Sequence, residues 1–81
     1  MLISNDKIIT IIQALDDENK KVENIKLLNN GCVRVFYKKP EKICNINVVC
    51  FNTEGVIIYD IDFNKFSENL RYYEQMSDFY K

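Results

Sequence analysis

The pattern of the chain predicts an α+β fold: a four-stranded antiparallel meander sheet flanked by an N-terminal and a C-terminal helix, in the order α-β-β-β-β-α. Three observations carry this reading. A capped segment with helical periodicity opens the chain, four short strand-like segments follow with links of a few residues, and a second capped periodic segment closes it. With 81 residues, 47% of them hydrophobic, there is material for one modest core, so residues 1–81 are read as a single α+β domain.

The first helix is expected from residue 5 to about residue 18. Ser4 suits the N-cap, Ile3 before it can staple onto Ile8, and Ile8, Ile12 and Leu15 recur at i, i+4 and i+7. The run Ile8-Ile9-Thr10-Ile11-Ile12 is β-branched and by propensity also suits a strand. The cap and the staple decide for a helix.

Strand-like segments at 22–28 and 32–37 flank Asn29-Asn30-Gly31, where glycine suits the left-handed position that ends a three-residue loop. Pairing Leu28 with Cys32 sets Leu27 opposite Val33 and Ile25 opposite Val35 on one face, with Lys26 beside Arg34 on the other. A two-residue Asn30-Gly31 loop would mix charge into both faces, so the first register is expected, with Lys26 and Arg34 on the less buried side. Lys38-Lys39-Pro40-Glu41-Lys42 reads as a turn, since proline cannot donate to a ladder.

The third segment, 43–51, alternates Cys44, Ile46, Val48 and Cys50 on a uniformly apolar face against Ile43, Asn45, Asn47, Val49 and Phe51 on a mixed one. Phe36, Ile43, Val49 and Phe51 are grouped on the side away from the inner helix stripe, where an uncovered apolar face needs a second helix or a partner. Asn52-Thr53-Glu54-Gly55 turns into the fourth strand at 56–61, and links this short imply antiparallel neighbours. Asp62 suits the cap of the last helix, Ile61 and Phe66 form a second staple, and Phe66, Leu70 and Tyr73 make the inner stripe of a helix running from Phe63 into the mid-seventies.

The inventory of chemical groups argues against an enzyme. Without histidine there is no Ser-His or Cys-His pair and no imidazole base. Asp60 and Asp62 form a D-x-D, but a strand end and a helix cap account for both, and no metal is expected. Gly31 and Gly55 are isolated turn residues outside any phosphate-binding pattern, so no cofactor is expected either. Three scattered cysteines make no disulfide framework. Cys44 and Cys50 lie about 20 Å apart along one strand at ~3.3 Å per residue, and Cys32, next to a turn, is the thiol expected to have some reactivity. The N-terminus lacks a basic, apolar leader and no segment approaches the ~20 apolar residues of a span, so a cytoplasmic protein without a membrane partner is expected. Lysine far outnumbers arginine, and asparagine, isoleucine and tyrosine abound, a leaning toward AT-rich codons that suits a low-GC bacterium or its phage.

Charge is unevenly placed. Residues 1–19 carry four acids against one lysine, residues 20–42 seven basic residues against two acids, and residues 54–81 six acids against three basic residues. Lys26, Arg34, Lys38, Lys39 and Lys42 in the basic hairpin 20–42, with Phe36 and Tyr37 interleaved, are the residues that would meet a nucleic acid. The acidic ends would repel a long polyanion, which favours a different partner. Asp16, Asp17 and Glu18 offer negative charge to a basic groove, and the aromatic tail, with Tyr72 and Tyr80, exceeds what one helix face can bury. The expectation is therefore a non-enzymatic protein-binding module, a small inhibitor or regulator of a larger bacterial or phage enzyme, as anti-defence proteins of the anti-CRISPR type are. Nucleic-acid binding through the hairpin is the alternative. Open strand edges also allow a homodimer.

Overall fold

The computed structural model describes residues 2–79. Its elements are α1 (Asn5–Asp17), β1 (Lys21–Leu27), β2 (Val33–Lys39), β3 (Lys42–Phe51), β4 (Ile57–Asp62), α2 (Phe63–Glu68) and α3 (Leu70–Phe79). The strands form one antiparallel sheet in the order β1-β2-β3-β4. Among the described residues, no helix is long and apolar enough to cross a membrane.

Local chemistry sets the ends of α1. The Ser4 hydroxyl accepts the Lys7 N–H at 3.2 Å, and Ile3 and Ile8 join one apolar cluster, as a cap with a staple should. At the other end Asn19 adopts φ 60°, the Lys20 N–H reaches the Leu15 carbonyl at 2.8 Å and the Asn19 N–H reaches that of Asp16 at 2.9 Å. This is a Schellman closure with asparagine at the left-handed position. The buried stripe is rotated from the expected one: Ile11 and Leu15 are buried, and Ile8 and Ile12 are half-buried. Ile3, Ile11 and Leu15 share one buried cluster.

The β1–β2 register is the expected one: Leu27 faces Val33, Lys26 faces Arg34 and Ile25 faces Val35. The Leu28 N–H donates to the Cys32 carbonyl at 2.9 Å, and Gly31 takes φ 94°. A bulge between Val22 and Asn24 then shifts the pairing, so that Val22 meets Tyr37 and Lys21 meets Lys38.

The helices lie on opposite faces of the sheet. Ile3, Ile11 and Leu15 pack with Val33, Val35, Tyr37, Val49 and Phe51 on one side. Phe66 and Tyr73 pack with Cys32, Val48, Cys50 and Tyr59 on the other. Strand alternation alone requires this division, because Val33, Val35 and Tyr37 point away from Cys32, Arg34 and Phe36. Phe36 therefore does not share a face with Val49 and Phe51 as expected from sequence; it lies under the C-terminal helices with its ring 6.2 Å from that of Phe63. Covered on both sides, Val33–Tyr37 and the second half of β3 read as nearly continuous apolar runs.

One expected helix is two. Asp62 caps α2 by accepting the Asn64 N–H at 2.8 Å, but α2 stops at Asn69, whose φ of −122° is not helical and whose side-chain amide donates to the Lys65 carbonyl at 3.3 Å. A side chain that competes for a carbonyl one turn back is a recognised way to end a turn of helix. The chain then restarts as α3, and the stripe changes: Phe66 and Ser77 are buried and Tyr73 half-buried, whereas Leu70, expected inside, is exposed.

Candidate functional site

The site begins with a single side chain. Arg34, between two core valines on β2, points to the face beneath α2 and α3 and is only 4% exposed. It was expected beside Lys26 on the less buried side; α3 and the aromatic cluster cover it instead. Its Nε–H donates to the Tyr59 hydroxyl at 2.8 Å and its guanidinium lies 5.1 Å from the centre of the Phe66 ring. Phe66 stacks on Tyr59 and on Tyr73, and Tyr73 lies tilted against Tyr59, with centroids 4.9–6.1 Å apart, so the ring beneath the cation belongs to an aromatic cluster.

Burial raises the Tyr59 hydroxyl above its ordinary range, so it remains neutral: it accepts from Arg34 without cancelling the charge. The nearest carboxylate, Glu74 on α3, places Oε1 4.0 Å from Nη2, beyond hydrogen-bond length, and its side chain is 54% exposed. Arg34 thus opens into a cleft of about 290 Å³ between α3 and the β1 end of the sheet, lined also by Lys26, Leu28, Asn30 and Asp78. The loop and the helix are tied together across it, the Asn30 amide donating to Asp78 Oδ1 at 3.2 Å.

Below the cleft lie two thiols. Cys32 and Cys50 are both fully buried. The Cys32 thiol donates to the Ser77 carbonyl at 3.5 Å, and burial pushes Cys32 upward and Cys50 up to about 12. A buried, protonated thiol is a poor nucleophile, so Cys32 does not have the reactivity expected from its place beside a turn. On the opposite face the Tyr37 hydroxyl donates to Asp60 at 2.7 Å, while Asp62 is engaged as a cap. No group of three or more metal-ligating side chains occurs among the described residues.

The residues singled out from sequence are dispersed. Asp16, Asp17 and Glu18 are exposed at the C-terminal end of α1, on one side of the sheet; Tyr72 is exposed on α3, on the other; Tyr80 lies outside the described residues. Asp16–Glu18 and Tyr72 do not form one patch. Of the hairpin cations, Lys26 and Arg34 face each other across the first two strands, whereas Lys38 lies four residues further along β2, about 13 Å away at ~3.3 Å per residue. Lys38 pairs with Glu23 at 3.4 Å, and Lys39 faces Lys42 at the far hairpin end. The hairpin therefore does not present one continuous basic strip. What sequence reading missed is the set Arg34, Tyr59, Phe66 and Glu74. Its one local signal is an arginine inside the apolar run Val33-Arg34-Val35-Phe36. No protein-family model matches the chain, and neither a curated protein nor a solved structure matches it.

Proposed function

We propose that the chain is a non-enzymatic protein-binding module, of the kind that inhibits or regulates a larger bacterial or phage enzyme, and that it docks through the outer side of α3. One observation carries this reading. Tyr73 turns inward to Tyr59 and Phe66, while its neighbour Tyr72 is 57% exposed and touches Tyr73 edge-on at 5.1 Å. Helical spacing places Met76 and Phe79 on the side of Tyr72, at i+4 and i+7, with Met76 half-buried and Phe79 83% exposed. A helix that has already seated one face on the core thus carries a second stripe of Tyr72, Met76 and Phe79, bordered by Arg71 and Gln75. Aromatic anchors with a polar rim are the usual anatomy of an interface core.

The test is a tagged pull-down from nuclease-treated lysate of the source cell, with wild type and Tyr72→Glu in parallel and folding checked by circular dichroism. A protein held in near-equal amount by wild type and lost with folded Tyr72→Glu supports the reading. Capture that depends on nucleic acid, or that ignores the substitution, overturns it.

A further inference from the structure

We infer that the Arg34 cleft is a binding site for a small zwitterion, an α-amino acid being the simplest, and that this site is separate from the outer stripe of α3. Four charges line the cleft: Lys26 and Arg34 on the sheet, Glu74 and Asp78 on α3. The cation at the base is almost wholly buried yet held short of its nearest carboxylate, with 4.0 Å between Arg34 Nη2 and Glu74 Oε1. Its hydrogen-bonded partner, Tyr59, stays neutral. A buried guanidinium in that position has strong unspent capacity for a carboxylate, which it can grip through two parallel N–H bonds.

The facing wall selects what comes with that carboxylate. Two acids beside two bases give the cleft no net charge, so a phosphate or a simple organic anion meets repulsion from Glu74 and Asp78 as soon as it reaches Arg34. A molecule with an ammonium group adjacent to its carboxylate reverses that penalty: the carboxylate sits on Arg34 and Lys26 and the ammonium on Glu74 and Asp78. The volume of about 290 Å³ lies at the small end of ligand clefts, roughly 300–1,000 Å³, which fits an amino acid and not a nucleotide. Leu28, half-buried against the same core as Phe66, adds apolar wall, so an aliphatic side chain is favoured over none.

Three probes separate the two charges: L-leucine, N-acetyl-L-leucine, which lacks the ammonium, and L-leucinamide, which lacks the carboxylate. Each is titrated into isotopically labelled protein while the amide signals of Asn30 and Ser77 and the Arg34 Nε–H signal are followed by NMR. Saturable shifts with L-leucine, at least about ten-fold tighter than with either single-charge analogue, are expected. Glu74→Gln, at an exposed position that does not threaten the fold, brings L-leucine down to the level of N-acetyl-L-leucine. No saturable shift with L-leucine up to tens of millimolar overturns the inference. So does N-acetyl-L-leucine binding as tightly as L-leucine, or L-leucine binding unchanged in Glu74→Gln. Tyr72→Glu leaves these shifts in place, so failure of the docking surface and failure of the cleft are told apart.

Discussion

Replacing Tyr59 with phenylalanine removes one oxygen and changes almost nothing else in volume, and the structure says what that oxygen does. It accepts the Nε–H of Arg34 at 2.8 Å, in a place where the arginine is almost wholly withdrawn from water. A hydrogen bond to a charged group contributes about 1.5–3 kcal/mol, and most of that is lost when the donor is left buried without a partner. For a domain of this size, at roughly 4–8 °C per kcal/mol, Tyr59→Phe should lower Tm by on the order of 10 °C. Urea denaturation followed by circular dichroism measures the loss, and the companion variant Arg34→Met locates it. Methionine fills the arginine channel without a charge, so in that background the hydroxyl has no cation to satisfy and Tyr59→Phe should cost less than about 0.5 kcal/mol. Equal losses in both backgrounds would refute the argument, because the tyrosine would then act through packing or through its hydrogen bond with the Cys50 thiol and not through Arg34.

Two further outcomes follow from burial and from helix charge. Burial raises Cys32, Cys50, Tyr37 and Tyr59, while the unfolded chain ionises its thiols near 9.0 and its tyrosines near 10.0. The folded state therefore keeps protons that the unfolded state releases. Their contribution to stability is fully present below about pH 9 and is lost as pH rises toward about 12, the Cys50 value, by up to ~1.4 kcal/mol per pH unit for each group. Urea midpoints at pH 7, 9 and 10.5 test this, with Cys50→Ala giving a shallower decline; a flat profile would contradict it. At α1, Asp16, Asp17 and Glu18 end a helix with no base in its last turn, against the helix dipole. Asp17→Lys should stabilise the fold by about 0.3–1 kcal/mol at low ionic strength, and the gain should shrink in high salt; an unchanged gain would assign it to packing.

What could be read in advance was local. Ser4 and Asp62 announce their helices because a cap and its staple lie within a few residues of each other, and Gly31 sets the hairpin register because the turn and the flanking alternation agree. Two positions carried a local signal that was passed over: Asn19 and Asn69 are asparagines at the edge of periodic segments, and one closes α1 while the other divides the C-terminal helix. Face assignment was not readable at all. When both sides of a strand are covered, Phe36 and Val35 look alike in sequence, and only the position of a distant helix decides which core each enters. The candidate site was hidden for the same reason: Arg34 reads as a surface cation until Tyr59, Phe66 and Glu74, which follow it by 25 to 40 positions, are brought over it. Tyr72 was legible because adjacent residues on a helix point about 100° apart, and one of two neighbouring tyrosines must face outward.

The burial of Arg34 also bears on how the chain finds one alignment of its strands. In a sheet with one wet face, a slip of one residue exposes apolar side chains and is rejected at once. In β2 that penalty is weak, since either alternation would send valine and aromatic side chains into a core. The guanidinium breaks the tie. Slipped by one position, it would be driven under α1 among Ile11, Leu15 and Val49, with no partner like the Tyr59 hydroxyl and Phe66 ring it has in the native register. Arg34 can thus act as an indexing pin for the sheet. Arg34→Met, even where it leaves the fold as stable as before, would then be expected to populate misaligned hairpins during refolding.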